Sequence, residues 1–288
     1  MKHDLDYPWD FDDLFLKTRK YLKGTINNKK SSQYVVKLFG GYTSNILQNW
    51  TTIFANHYNI PIKIKNSGWG AAFSQLNIDE VSDFYICLNS SHDILSSVDK
   101  NNKLINIKQV KQTYYNFILD AKKSGKFIIA TSFDNSSVSL PSIKTQNEYQ
   151  FICHELNFYL TKLAKKFDNF ILISLESLCG LSNKNLYSSL RDWYNFGQYL
   201  NVEGSILLAH KISRSLCSIL NVSKKVLLVD LDNTIWGGVI GDDGFNNIKI
   251  GQETNEGRIY EDIQKYILQL KKRGVILGIV SKNTEKIA

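Results

Sequence analysis

Short apolar runs rich in β-branched and aromatic residues recur along this chain, and longer segments with helical spacing separate them. YVVKLFG (34–40), IPIKIKNSG (60–68), DFYICLN (83–89), KFIIATSF (126–133) and NFILISL (169–175) read as extended. Most are apolar without alternation, the pattern of strands covered on both faces. The intervening segments read as helices over 45–58, 105–123, 146–167 and 201–220. In the third, Phe151, Ile152, Leu156, Tyr159, Leu160 and Leu163 share a helical face. Strands alternating with helices argue for a parallel sheet with helices on both faces, a three-layer α/β fold.

A length of 288 residues suggests two domains. Residues 1–30 read as a helical lead-in, 31–222 as one α/β domain, and 223–288 as part of a second. In the second, VLLVD (226–230) and VILGIV (275–280) read as strands around a helix over 256–274. Ile259, Ile263, Ile267 and Leu270 mark its expected inner face. Lys271, Lys272 and Arg273 suit its negative end, and Gly274 suits its stop. This is a βαβ unit joining two parallel strands.

Composition narrows the partners. The chain carries a net charge of +8, which suits either a Lys-rich solvated surface or anionic partners. No long block of Lys and Arg and no nucleic-acid motif is present, so nucleic acid is not an expected partner. The four cysteines, Cys87, Cys153, Cys179 and Cys217, are far apart and read as free thiols. The acidic, aromatic start MKHDLDYPWDFDDLF is unlike a signal peptide, and no run approaches the roughly 18 apolar residues of a membrane span. A cytoplasmic setting is the expectation.

The chemistry concentrates in KKVLLVDLDNTIWGGVIGDDG (224–244). Ligands of open α/β sheets bind beyond the carboxyl ends of the strands. Asp230 ends the first strand of the βαβ unit and Ser281 follows the second, so neighbouring strands would bring both to one edge. Two carboxylates two residues apart are otherwise turn acids; here a strand, a glycine-bearing loop, a helix and Ser-Lys-Asn surround them.

Those residues resemble the haloacid dehalogenase superfamily of phosphotransferases. The resemblance implies Asp230 as nucleophile, Asp232 as general acid and base, Mg2+ held by Asp230 and Asp232, and Ser281 and Asn283 as phosphate ligands. DLDNTIWGGVIGDDG, IKIG (248–251) and RGVILGIVSKN (273–283) resemble the FkbH-like branch, as does the upstream stretch 191–217. That branch implies an N-terminal flavodoxin-like or SGNH-hydrolase-like domain before a haloacid dehalogenase-like Rossmannoid domain. It also implies a phosphatase or transferase in polyketide or polysaccharide assembly. Such an enzyme takes a glyceryl unit from 1,3-bisphosphoglycerate, dephosphorylates it and loads it onto an acyl carrier protein.

The chain departs from those patterns in three places. The superfamily's later Lys or Arg and later acidic pair have no counterpart before Ala288, so a C-terminally truncated second domain is expected. Val280 stands where many FkbH-like chains carry a Cys before the Ser. FGGYTSN (39–45) lacks the nucleophilic Gly-Asp-Ser of SGNH hydrolases, and Asp192 is a weak echo of their Asp-x-x-His. Thr43 and Ser44 read either as displaced nucleophiles or as the cap of the helix from Asn45. His92 and His154 read as surface or packing residues, and Gly41, Gly68 and Asn89 as the rim of a pocket. Two other functions stay open: an inactive binding module for a carrier protein or glycan precursor, and an SGNH-type esterase or acyltransferase.

Overall fold

The computed structural model describes residues 5, 9–27, 33–68, 70, 72–95, 106–134, 143–182 and 185–282. The chain divides into two compact units, Met1–Asn221 and Val222–Ala288.

In the first unit, helix α1 (Phe11–Asn27) precedes strand β1 (Tyr34–Gly40). Then come α2 (Asn45–His57), β2 (Ile62–Asn66), β3 (Phe84–Leu88), the short α3 (Ser91–Leu95) and α4 (Ile107–Lys123). β4 (Phe127–Thr131), α5 (Ile143–Lys166), β5 (Phe170–Ile173), α6 (Leu175–Ser182), α7 (Leu190–Phe196) and α8 (Val202–Ile219) complete it. The five strands form one parallel sheet in the order β2-β1-β3-β4-β5. The expected α/β class is what the chain adopts. NFILISL yields a shorter strand than its apolar run suggests, because Leu175 already opens α6.

Alternation along the strands decides the two faces. Phe39, Tyr85, Cys87, Ile128 and Ala130 point into a core with α4 and α5, beside Tyr114, Phe117, Tyr149 and Leu156. Val36, Leu38, Phe84, Ile86, Leu88 and Ile129 point the other way, against Leu47, Leu208, Ile212 and Leu216 of α2 and α8. A third apolar cluster holds α1 against those two helices through Leu14, Tyr21, Trp50, Ile53, Phe54, Ile206 and Ala209. Cys87, Cys153 and Cys217 are buried free thiols within these layers, and Cys179 is a half-buried one. Among the described residues, no helix is long and apolar enough to cross a membrane.

In the second unit, β6 (Val226–Val229) and β7 (Ile276–Ile279) pair in parallel, with Val229 opposite Ile279. α9 (Ile240–Asp243) and α10 (Asn255–Lys272) lie between them in sequence. Thr254 caps α10 by accepting from the Gly257 N–H at 3.0 Å. The expected inner face of this helix is only partly right. Ile267 and Leu270 are half-buried, but Ile259 and Ile263 are exposed, as are Tyr266 and Leu268. The apolar arc of α10 is wider than the surface of this unit that covers it. Half-buried Gln264 instead ties the helix to the loop, donating from Nε2 to the Ile235 carbonyl at 2.7 Å.

Candidate functional site

The loop after β6 is built to hold two carboxylates in place. Leu231 and Ile240 are buried and pin its two ends, while Asp230 between β6 and Leu231 is exposed. Asp230 Oδ1 accepts from the Leu231 N–H at 2.8 Å. Asp232 Oδ1 takes two donors, the Trp236 indole N–H at 3.0 Å and the Ile240 N–H at 3.1 Å. Asn233 sits at a φ of 52°, and its Oδ1 accepts from the Gly238 N–H at 2.9 Å, closing the turn. A turn of this kind uses Asn because its short amide tolerates the left-handed region.

β7 brings the other side. The Val280 N–H donates to the Val229 carbonyl at 3.0 Å, so the chain crosses the sheet edge at Asp230 and Ser281 together. Asp230, Asp232 and half-buried Ser281 therefore share the carboxyl edge of β6 and β7. Asn283, and the helix expected from near Thr284, lie outside the described residues.

The donors this edge offers a cation are oxygens, those of Asp230 and Asp232, and the Asp232 carbonyl also accepts from the Thr234 hydroxyl at 3.4 Å. Hard oxygen donors of this number suit Mg2+, which keeps several waters and binds through one or two carboxylates plus substrate phosphate. Among the described residues, no group of three or more His, Cys, Asp or Glu forms a complete metal cage.

The chain resembles, over 98% of its length and 76% of the other's, the N-terminal part of a Bacteroides fragilis protein, which contains a phosphatase domain and was crystallised with Mg. The identity is 23% and the TM-score 0.76. The two chains share a fold. A GDSL-like lipase from Bacteroides thetaiotaomicron matches 71% of this chain and 99% of its own at 12% identity and a TM-score of 0.43. A catalytic mutant of an acetylxylan esterase from Geobacillus stearothermophilus matches 65% and 94% at 15% identity and a TM-score of 0.44. No protein-family model matches this chain, and no curated protein does.

The first unit has its own concentration of polar groups. The strand order reverses direction between β1 and β3, the point where open α/β sheets receive ligands. Ser44 precedes α2 but does not cap it with its side chain; its Oγ accepts from Gln48 Nε2 at 2.9 Å. The cap expected from Thr43 and Ser44 is thus not formed, because Thr43 is turned to the 196–198 segment. There its hydroxyl donates to the Phe196 carbonyl at 2.6 Å and its N–H to the Gly197 carbonyl. Among the described residues neither hydroxyl is partnered with an imidazole, so the nucleophile reading of these residues gains no support. Ser189 caps α7: its Oγ accepts from the Asp192 N–H at 3.1 Å and its hydroxyl donates to the Asp192 carboxylate at 2.7 Å, so Asp192 is held as a first-turn acid of that helix. Asn89 is consumed internally: it accepts from the Tyr114 hydroxyl and donates to the Thr131 carbonyl, tying β3 to β4 and α4.

Two carboxylates at this edge escaped the sequence reading. Asp93 and Asp134 are 2% and 0% exposed. Asp93 Oδ2 accepts from the Ser90 N–H at 2.8 Å, and Asp134 Oδ1 from the Ser91 N–H at 3.2 Å. Burial pushes the Asp93 carboxyl up to about 7, with nearby Asp134 adding to the rise and the Ser90 hydrogen bonds opposing it. Gly41 makes the packing possible, since a Cβ there would stand 2.6 Å from Asp93 Oδ1. The signal was present: Asp134 follows the apolar run KFIIATSF, as Asp230 follows VLLV.

Proposed function

We propose that this chain is a Mg2+-dependent phosphatase or phosphotransferase of the FkbH-like type, with its chemistry at Asp230, Asp232 and Ser281. The observation that carries this reading is the register of β6 and β7. It sets Asp230 and Ser281 on one edge, while two donors hold Asp232 beside them. The Asp230 carboxylate attacks phosphorus and becomes an acyl phosphate. Asp232 gives its proton to the departing oxygen, then takes one from the water that releases phosphate. The Trp236 and Ile240 N–H groups keep its carboxyl oriented through both transfers. The Ser281 hydroxyl donates to a phosphoryl oxygen, and Asn283 is assigned the same role. Asp230 and the Asp232 carbonyl would hold Mg2+, which would supply positive charge against the repulsion between carboxylate and phosphate.

The substrate in this reading is a phosphorylated small molecule, with 1,3-bisphosphoglycerate as glyceryl donor and an acyl carrier protein as acceptor. The +8 net charge favours both anionic partners. Val280 has no thiol, so the acyl group is not held as a thioester beside Ser281. A cytoplasmic setting, as the pool of such phosphates requires, belongs to the same proposal.

The test is calorimetric titration of the 288-residue chain with beryllium fluoride, a phosphate mimic, with and without Mg2+. Mg2+-dependent binding that Asp230→Asn abolishes is the expected result. Binding that ignores both Mg2+ and the substitution refutes the assignment. In parallel, acetyl phosphate hydrolysis by the chain should require Mg2+ and be lost in Asp230→Asn.

A further inference from the structure

A cavity of about 330 Å3 opens in the first unit, beside the carboxyl end of β3. Four rings form its aromatic part. His92 of α3 lies flat on Trp193 of α7, with centroids 3.6 Å apart and planes 6° apart. Tyr199 stands edge-on to both, and Tyr187 edge-on to Tyr199. Asn185, Ser188, Ser189 and Gln198 supply the polar part of the lining.

Three properties narrow the occupant. The first is charge. Among the described residues of the lining, none is an acid, a lysine or an arginine. The imidazole in the lining is His92, and burial lowers its pKa against the pull of Asp134, which disfavours the charged ring. Behind the lining, Ser91 joins Tyr199 to Asp134: the two hydroxyls are 3.2 Å apart and the Ser91 N–H donates to the Asp134 carboxyl. An anion would meet the buried Asp134 carboxyl close behind the lining. The second is polarity. Ser189 is held by Asp192, Gln198 Nε2 by the Leu200 carbonyl and Asn185 Oδ1 by the Tyr187 N–H. An acyl chain would offer nothing to their remaining donor and acceptor capacity or to Ser188, and stranded buried polar groups are costly. The third is an unmet demand: the Ser188 hydroxyl is buried and has no hydrogen-bond partner.

Aromatic faces beside neutral amide and hydroxyl groups suit a molecule with apolar C–H faces and a rim of hydroxyls. The volume lies at the small end of ligand sites, room for one or two rings rather than an extended chain. We infer that this cavity is a binding site for a neutral sugar ring, seated against the His92–Trp193 stack and hydrogen-bonded by Ser188 and its polar neighbours. The stack holds Trp193 before any ligand arrives, so little ordering is needed on binding. Leu190, Tyr194 and Phe196, all exposed on α7, add apolar surface at the same element for the rest of a larger glycan.

The site is independent of the metal chemistry, and the experiment keeps the two apart. Saturation-transfer NMR and calorimetry are run on the full chain in EDTA, with methyl glycosides of the common hexoses, pentoses and N-acetylhexosamines. Sugar 1-phosphates and uncharged nucleosides are run beside them. At least one methyl glycoside should bind with one-to-one stoichiometry, better than its 1-phosphate and better than any nucleoside. Trp193→Ala should weaken it about tenfold or more, and Ser188→Ala by roughly threefold to tenfold. Trp193→Phe, which keeps a ring in the cavity, should fall between and guards against misfolding of the alanine variant. The inference is overturned if no glycoside binds saturably at tens of millimolar. It is equally overturned if phosphates or nucleosides bind better, or if the Trp193→Phe and Ser188→Ala proteins bind as the parent does.

Discussion

Replacing Asp93 with Asn keeps the shape of the side chain under Gly41 and removes its ability to ionise. In the folded chain the carboxyl is 2% exposed and burial pushes its pKa up to about 7, from an ordinary aspartate value of 3.8. The folded pKa is the higher one, so the folded state holds a proton that the unfolded chain releases. The resulting stabilisation is complete at pH values below the unfolded pKa and is lost as pH rises through about 7. At pH 5 about two units of it remain, and at pH 8 almost none. At about 1.36 kcal/mol per unit, the loss is about 2.7 kcal/mol. His210 works in the opposite sense: burial and neighbouring cations lower its pKa to about 4, so its contribution fades as pH falls below 6.5. Comparing the parent with Asp93→Asn at each pH cancels that term. Urea unfolding at pH 5 and pH 8 should show the stability difference, parent minus variant, falling by about 2.7 kcal/mol between the two. A difference that does not change with pH, or that grows, would refute the claim that the buried carboxyl carries this linkage.

Gly204→Ala should destabilise the first unit by about 2 kcal/mol or more, because a Cβ in this buried turn of α8 would run into the Leu186 carbonyl oxygen; thermal unfolding by circular dichroism measures it. Trp50→Ala should cost about 3–5 kcal/mol, since the ring is fully buried where α1, α2 and α8 meet. A shift in urea midpoint of that size, with unchanged slope, is the check. Trp236→Phe removes the indole donor to Asp232. Turnover of acetyl phosphate should fall about tenfold at unchanged KM, since the group acts by orienting the acid and base. An equal rise in KM with constant kcat would assign Trp236 to substrate binding instead.

Much of the architecture was legible because it is written in local periodicity. Runs such as YVVKLFG and KFIIATSF carry side chains for both faces of a sheet, and the helical segments carry one apolar stripe each. Where a stripe was broad, as in α10, spacing alone misjudged which residues turn inward, because the width of the covering surface is not local information. Ser44 failed as a cap for a related reason: residue type favoured the cap, but Gln48 claims its hydroxyl and the 196–198 segment claims its neighbour Thr43.

By itself, the sequence determined the α/β class, and it put Asp230 and Ser281 on one edge on the condition that their strands are neighbours, which the pairing of β6 with β7 meets. Both follow from short-range facts, the alternation of strand and helix and the single crossover joining two neighbouring strands. Only the tertiary structure decided that β1 and β3 are neighbours, that Asp93 and Asp134 are buried together, and that His92 lies on Trp193. Those juxtapositions join residues up to about a hundred positions apart. The entropy of closing such loops changes slowly with their length, so spacing does not choose among partners and packing does.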